Sequence, residues 1–373
     1  MEHSRQLLMM HAIHEDALFI GDYLSSLQRP EAQGFMPFLS FCMGSYMALF
    51  VYEGQRQIKK IDPDLGVEIS DAAQQVLTRS RHSLKLFDDS KLGLEGLQSL
   101  FWDEIVPSHE DYFVGLLRFS WLKPLAKDVG VYRYNGRVIS TTHAASFSLG
   151  LEASAIVEAN LGERILSIST EYGRYFGALG AALDMSAVSF PDYLDGALFS
   201  QREEDYQAKK YYRTIFNGTE TPELNATLLL LLGHLNFINE IVSTEPDSAR
   251  LRYSTFKIRF LGIYQIVRSL VILRDQQHER LTAESLQAID LIAQHPGARA
   301  LMADDMRPLR NTLMHYSVDS RLDPTQLNTD NLLGTLLAAA LGEERVEDFF
   351  GDFDALISET AALMNSWLQG RWT

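Results

Sequence analysis

Helical periodicity runs through almost all of this 373-residue chain, and a single ten-residue stretch breaks it. Apolar residues at three- and four-residue intervals predict helices over 4–27, 35–57, 71–87, 110–129, 143–161, 165–183 and 222–242. The same period continues over 250–274, 285–294, 308–317, 329–341 and 343–368. The exception is VYRYNGRVIS, 131–140, in which apolar and polar residues alternate on both sides of Asn135-Gly136. That dipeptide accepts the positive φ angles of a type I′ turn, so a short β-hairpin is expected, packed or as an exposed arm. The expected fold class is therefore mainly α. The turn formers of STEPDSAR, 243–250, separate two apolar helical segments. They divide the chain into an N-terminal helical regulatory or interaction domain, 1–245, and a C-terminal helical bundle, 246–373.

Hydrophobic residues make up 46% and charged residues 22%, which excludes disordered and collagen-like classes. One cysteine, Cys42, excludes a disulfide framework and a thiolate zinc site, and no cofactor or metal is expected. The N-terminal MEHSRQLLMMH lacks a basic region followed by an apolar core, so the expected location is cytoplasmic. The uncharged stretch 32–52 approaches the ~20 residues that cross a bilayer. It holds Gln33, Gly34, Pro37 and Gly44 and lacks orienting flanks, so it reads as a buried helix and no membrane partner is expected.

A net charge of −16 disfavours long-range attraction to phosphate backbones, so any nucleic-acid contact needs a local basic patch. From Pro246 onward 13 Lys+Arg face 17 Asp+Glu, which leaves most of the acidity in the N-terminal part. Residues 250–274 hold six cations and no acid. On that helix Phe256, Phe260, Ile263, Val267 and Leu270 form one stripe, which puts Lys257, Arg259 and Arg268 off the core. With Arg307 they are candidate RNA-binding residues. The competing reading is that they pair with acidic helices of the same fold. The seven acids between Glu343 and Glu359 are one such partner.

The richest run is MRPLRNTLMHYS, 306–317. Pro308 suits a helix's first turn. If the helix extends back through Pro308, at 100° per residue Met302, Met306, Leu309, Leu313 and Tyr316 share one side, while Asn311 and His315 project from the other with Arg307 nearby and Arg310 at the border. A guanidinium binds phosphate through paired charge-assisted hydrogen bonds, and an imidazole moves protons near neutrality. Those groups suffice for RNA cleavage in which the substrate's own 2′-hydroxyl is the nucleophile.

At these residues the chain resembles the HEPN superfamily, all-α proteins whose ribonuclease members carry Arg, four to six residues, then His, with a polar residue after the Arg. Arg310-Asn311-Thr312-Leu313-Met314-His315 fits the Arg-Asn form. Arg5 to His11 and Arg137 to His143 match the spacing without the Asn. The resemblance covers roughly 250–370. It implies a metal-independent endoribonuclease, a regulated toxin or antiviral-defence effector acting as a homodimer with the two motifs facing across a cleft. Arg310 would polarise the phosphate, His315 would act as general acid or base, and Asn311 would orient them. Residues 1–245 would then restrain the nuclease or sense a trigger. The alternative is a non-catalytic helical scaffold that recruits a partner through the same dimer.

Other features point to packing. His11 and His14 stand three apart beside Glu15 and Asp16, without a third and fourth ligand in the sequence pattern. YFGALGAALD, 175–184, lacks the strand and Lys-Ser/Thr of a phosphate loop, and Cys42 sits in an uncharged stretch.

Overall fold

Local signals start and stop the helices much as the pattern predicts. The computed structural model describes residues 2–32, 34–89, 91–115, 127–149, 161–184, 186–199, 204–216, 221–244 and 252–370. Helix α1 spans Glu2–Leu27 and α2 spans Met36–Ile61. Pro63 ends α2 because the residue before a proline avoids the helical region, and Asp62 is accordingly extended. Ser70 caps α3 (Asp71–Ser83) by accepting from the Ala73 amide. Next come α4 (Gly93–Ser99), which continues through a π turn into α5 (Val106–Gly115).

The expected hairpin follows as β1 (Val129–Tyr134) and β2 (Arg137–Thr141). Asn135 and Gly136 take φ of 50° and 73°, as a type I′ turn demands. A third strand, β3 (Glu204–Tyr206), has no sequence signal and pairs antiparallel with β1, giving the order β2-β1-β3. The hairpin is not an exposed arm, since Val131, Val138 and Ile139 are buried. Val129, expected at the end of a helix, opens β1 instead. Residues 127 and 128 of that expected helix are not helical either, while 116–126, and 150–160 of the expected helix 143–161, lie outside the described residues.

The remaining elements are α6 (Thr142–Ser148), α7 (Leu161–Ala178), α8 (Ala208–Thr214) and α9 (Pro222–Asn236). After them come α10 (Tyr253–Gln277), α11 (Ala283–Gln294), α12 (Pro296–Met302), α13 (Arg307–His315), α14 (Leu332–Leu341) and α15 (Val346–Leu368). The fold is mainly α. Gly233 of α9 packs on β2 so closely that a Cβ there would stand 3.1 Å from the Ile139 carbonyl oxygen, which explains a glycine inside an apolar helix.

One apolar core runs from Leu8 to Leu368. The expected domain boundary falls largely in 245–251, outside the described residues, and helices on its two sides share this core: α1 packs on α10, α2 on α13, and α9 on both α10 and α15. Among the described residues one helical stretch, Pro222–Thr244, is long and apolar enough to cross a membrane, and 78% of an apolar 18-residue window within it is buried in the fold. The uncharged 32–52 stretch contributes Leu39, Met43, Leu49 and Phe50 of α2 to the same core.

Helix α10 departs from expectation. It is buried on nearly every face from Tyr253 to Leu270 rather than along one stripe, because it lies in the middle of the bundle against α1, α9, α11, α12 and α13.

Candidate active site

The motif helix α13 has Pro308 in its first turn and ends where Tyr316 adopts a left-handed φ of 55°. Met306, Leu309, Leu313 and Tyr316 are buried, while Arg310, Asn311 and His315 are half-buried and Arg307 is exposed. The division into an apolar and a polar side follows the sequence periodicity.

Positive φ is unfavourable for a bulky aromatic, and interior contacts offset it here. The Tyr316 hydroxyl donates to Asp16 Oδ2 on α1. Lys257 Nζ of α10 lies 2.7 Å from the same oxygen and 3.6 Å from the Tyr316 ring centre, and Ser254 donates to Asp16 Oδ1 at 2.6 Å. This buried cluster fixes the C-terminus of α13 against α1 and α10.

His315 is held one residue earlier by α2. Its Nδ1 stands 3.1 Å from Glu53 Oε2, and its carbonyl accepts from Gln57 Nε2 at 2.5 Å. Glu53 has no exposed surface, and its other oxygen accepts from Arg81 Nη2. Burial by itself raises the Glu53 carboxyl, but the hydrogen bond from His315 and the charge and hydrogen bond of Arg81 hold it below the usual glutamate range. Glu53 is thus an anion that orients the ring with Nδ1–H inward. The His315 side chain is 37% exposed, and its Nε2 has no hydrogen-bond partner among the described residues.

A second chain of contacts orients Arg310. Its Nη2 donates to Asn311 Oδ1 at 2.8 Å, and Asn311 Nδ2 donates to Asp319 Oδ2 at 3.0 Å. Arg321 grips both Asp319 oxygens, at 2.9 and 3.0 Å, and these bonds hold the Asp319 carboxyl well below its usual range. The Arg310 guanidinium lies over Tyr264, 5.2 Å from the ring centre. Among the described residues no carboxylate pairs with Arg310, and its buried Nε has no partner.

The expected RNA-binding residues fare differently. Lys257 is fully buried and paired with Asp16. Arg259 is 6% exposed, donates to Asp354 of α15 at 2.6 Å and lies over Phe353. These two are corrections: a central helix leaves its cations no solvent face, so acids from neighbouring helices neutralise them in place, Asp354 coming from the acidic run after Glu343. Arg268 is partly exposed, 3.4 Å from Asp88, and Arg307 is exposed, 3.0 Å from Asp304. The sequence pattern missed Glu53, Gln57 and Arg81, which lie more than 200 residues from His315. A lone carboxylate ending an uncharged stretch was the one available signal.

His11, His14, His109 and His143 meet partners within the fold. His14 Nδ1 meets the Leu179 carbonyl at 2.9 Å, and His11 lies 3.6 Å from Glu15. His143 is buried between the Tyr212 hydroxyl and the Asp128 carbonyl, with the His109 ring edge-on at 4.5 Å. Burial lowers His109 and His234 to about 4, and burial together with the neighbouring His109 holds His143 well below the usual histidine range. Cys42 is partly buried, with its thiol pushed up to about 12 by burial, the opposite of an activated nucleophile. Comparison with protein-family models, with curated proteins and with solved structures finds no match.

Proposed function

We propose that this protein is a metal-independent endoribonuclease of the HEPN type, working as a homodimer in a regulated toxin or defence role. One observation carries the reading: α13 holds a half-buried guanidinium that has no carboxylate partner among the described residues and, five residues further on, an imidazole whose inner nitrogen is held by a buried carboxylate and whose outer nitrogen has no partner among the described residues. An anion completes the first, and a substrate hydroxyl completes the second.

In this reaction His315 Nε2 takes the proton of the RNA 2′-hydroxyl as that oxygen bonds to the adjacent phosphorus. Arg310 stabilises the charge on the phosphorane oxygens. The bond from phosphorus to the 5′-oxygen then breaks, and the leaving oxygen takes up a proton, which the facing motif of a second copy can donate. The products are a 2′,3′-cyclic phosphate and a 5′-hydroxyl. Glu53 stabilises the imidazolium that forms in between.

The test is cleavage of single-stranded RNA in EDTA, with end-group analysis. Wild-type protein should yield the cyclic phosphate, and His315→Ala should not. The second reading, a non-catalytic helical scaffold, draws on the same contacts, because Glu53 and Asp319 also serve as ordinary structural ion-pair partners. Intact RNA with both proteins, in resting and activating conditions alike, would favour it.

A further inference from the structure

The nuclease reading leaves a gap, since Lys257 and Arg259 are interior and a chain of net charge −16 still needs cations beside its site. The last turns of α2 supply them. Between Tyr52 and Ile61 the sequence is EGQRQIKK, in which the one acid, Glu53, is buried, while Arg56, Lys59 and Lys60 are exposed. Arg56 Nη1 lies 3.7 Å from Glu53 Oε2, the same oxygen that His315 Nδ1 reaches at 3.1 Å. Lys60 Nζ donates to Gln57 Oε1 at 3.1 Å, and Gln57 in turn holds the His315 carbonyl.

Charge balance explains why these cations are available. Arg81 already satisfies Glu53 from the interior side. The Arg56 contact is beyond hydrogen-bond length and its side chain is 55% exposed, so one carboxylate faces two guanidiniums and an imidazole. Among the described residues, the cationic groups facing Glu53 therefore outnumber its single negative charge at the solvent edge of His315. Arg56 and Lys60 are four residues apart on one face of α2, so both can meet one strand.

Resting on the nuclease reading, we infer that Arg56, assisted by Lys60, binds the phosphate of single-stranded RNA that flanks the one held by Arg310. The strand lies across the junction of α2 and α13, and the N-terminal part of the chain forms half of the substrate site. Arg56 is then a binding residue whose loss weakens RNA affinity.

The experiment uses full-length His315→Ala protein, so that RNA stays whole, with a fluorescent single-stranded oligoribonucleotide titrated at several salt concentrations. Adding Arg56→Ala should weaken binding about three- to tenfold and flatten the slope of log affinity against log salt by about 0.7, one phosphate contact on a single strand. Lys60→Ala should act in the same direction with a smaller effect. Lys210→Ala, which removes an exposed cation of α8, is the control and should change neither quantity. Unchanged affinity and slope in Arg56→Ala, or an equal loss in Lys210→Ala, overturns the inference while wild-type cleavage leaves the nuclease reading standing. Absence of RNA binding together with absence of wild-type cleavage sinks both.

Discussion

The cations of α10 and those at the end of α2 meet opposite environments. Helix α10 belongs to a stretch with six cations and no acid, yet Lys257 and Arg259 are neutralised inside the bundle by Asp16 and Asp354. The α2 end belongs to the acid-rich part of the chain, yet Arg56 and Lys60 face solvent, Arg56 beside the buried Glu53 carboxylate and Lys60 on Gln57. A local excess of charge in the sequence says how many counter-ions a segment must find. Whether it finds them inside the protein or on a ligand depends on how many faces of its helix are covered.

The sharpest way to break this contrast is at the site itself. His315→Ala should lower RNA cleavage by roughly 10²–10⁴-fold, the usual worth of a general acid or base, while circular dichroism shows the helices intact. Next is the interior side. Lys257→Ala leaves Asp16 buried without its cation and should cost about 3–5 kcal/mol in denaturant unfolding. Burial already holds the Lys257 ammonium below the usual lysine range despite Asp16, so pairing Lys257→Met with Asp16→Asn should recover much of that loss. A double variant as unstable as the single one would show that the pair does more than neutralise itself.

The histidines extend the comparison to pH. His109 and His143 are buried and His234 half-buried; desolvation depresses His109 and His234 to about 4 and holds His143 well below the usual histidine range, so all three rings are neutral. Below about pH 6.5 the unfolded chain takes up protons at these rings that the folded chain refuses. Stability should therefore fall as pH drops from about 6.5 toward 4, by up to ~1.4 kcal/mol per pH unit for each ring, and be flat in their contribution above 6.5. Glu53 adds to the loss only in stronger acid, because its folded carboxyl lies below the usual range. A midpoint of urea unfolding that holds constant between pH 7 and 5 would contradict this placement of the rings. The smallest effect belongs to Arg268, partly exposed and 3.4 Å from Asp88, where Arg268→Ala should change stability by no more than ~0.5 kcal/mol.

Much of the helical frame was legible because its signals are local. Pro37, Pro63, Pro222 and Pro308 mark helix boundaries by their own backbone chemistry, Ser70 marks one by its capping hydroxyl, and Asn135-Gly136 marks the hairpin by its tolerance of positive φ. Strand β3 was not legible, because three residues carry no periodicity and form a strand only against β1. The polar face of α13 could be read from spacing alone, and so could the candidacy of Arg310, Asn311 and His315. Their partners could not, since Glu53 meets His315 across 262 positions and Tyr316 meets Asp16 across 300.

The sequence by itself therefore determined where most of the long helices lie, which side of α13 is apolar, and which of its side chains are candidates for chemistry. Tertiary structure alone decided that α10 is enclosed on most faces, that a carboxylate of α2 orients the motif histidine, and that the solvent-facing cations come from α2. The physical reason is range. Backbone conformation and periodicity are properties of neighbouring residues, whereas the burial of a charge and the identity of its counter-ion depend on every helix packed around it.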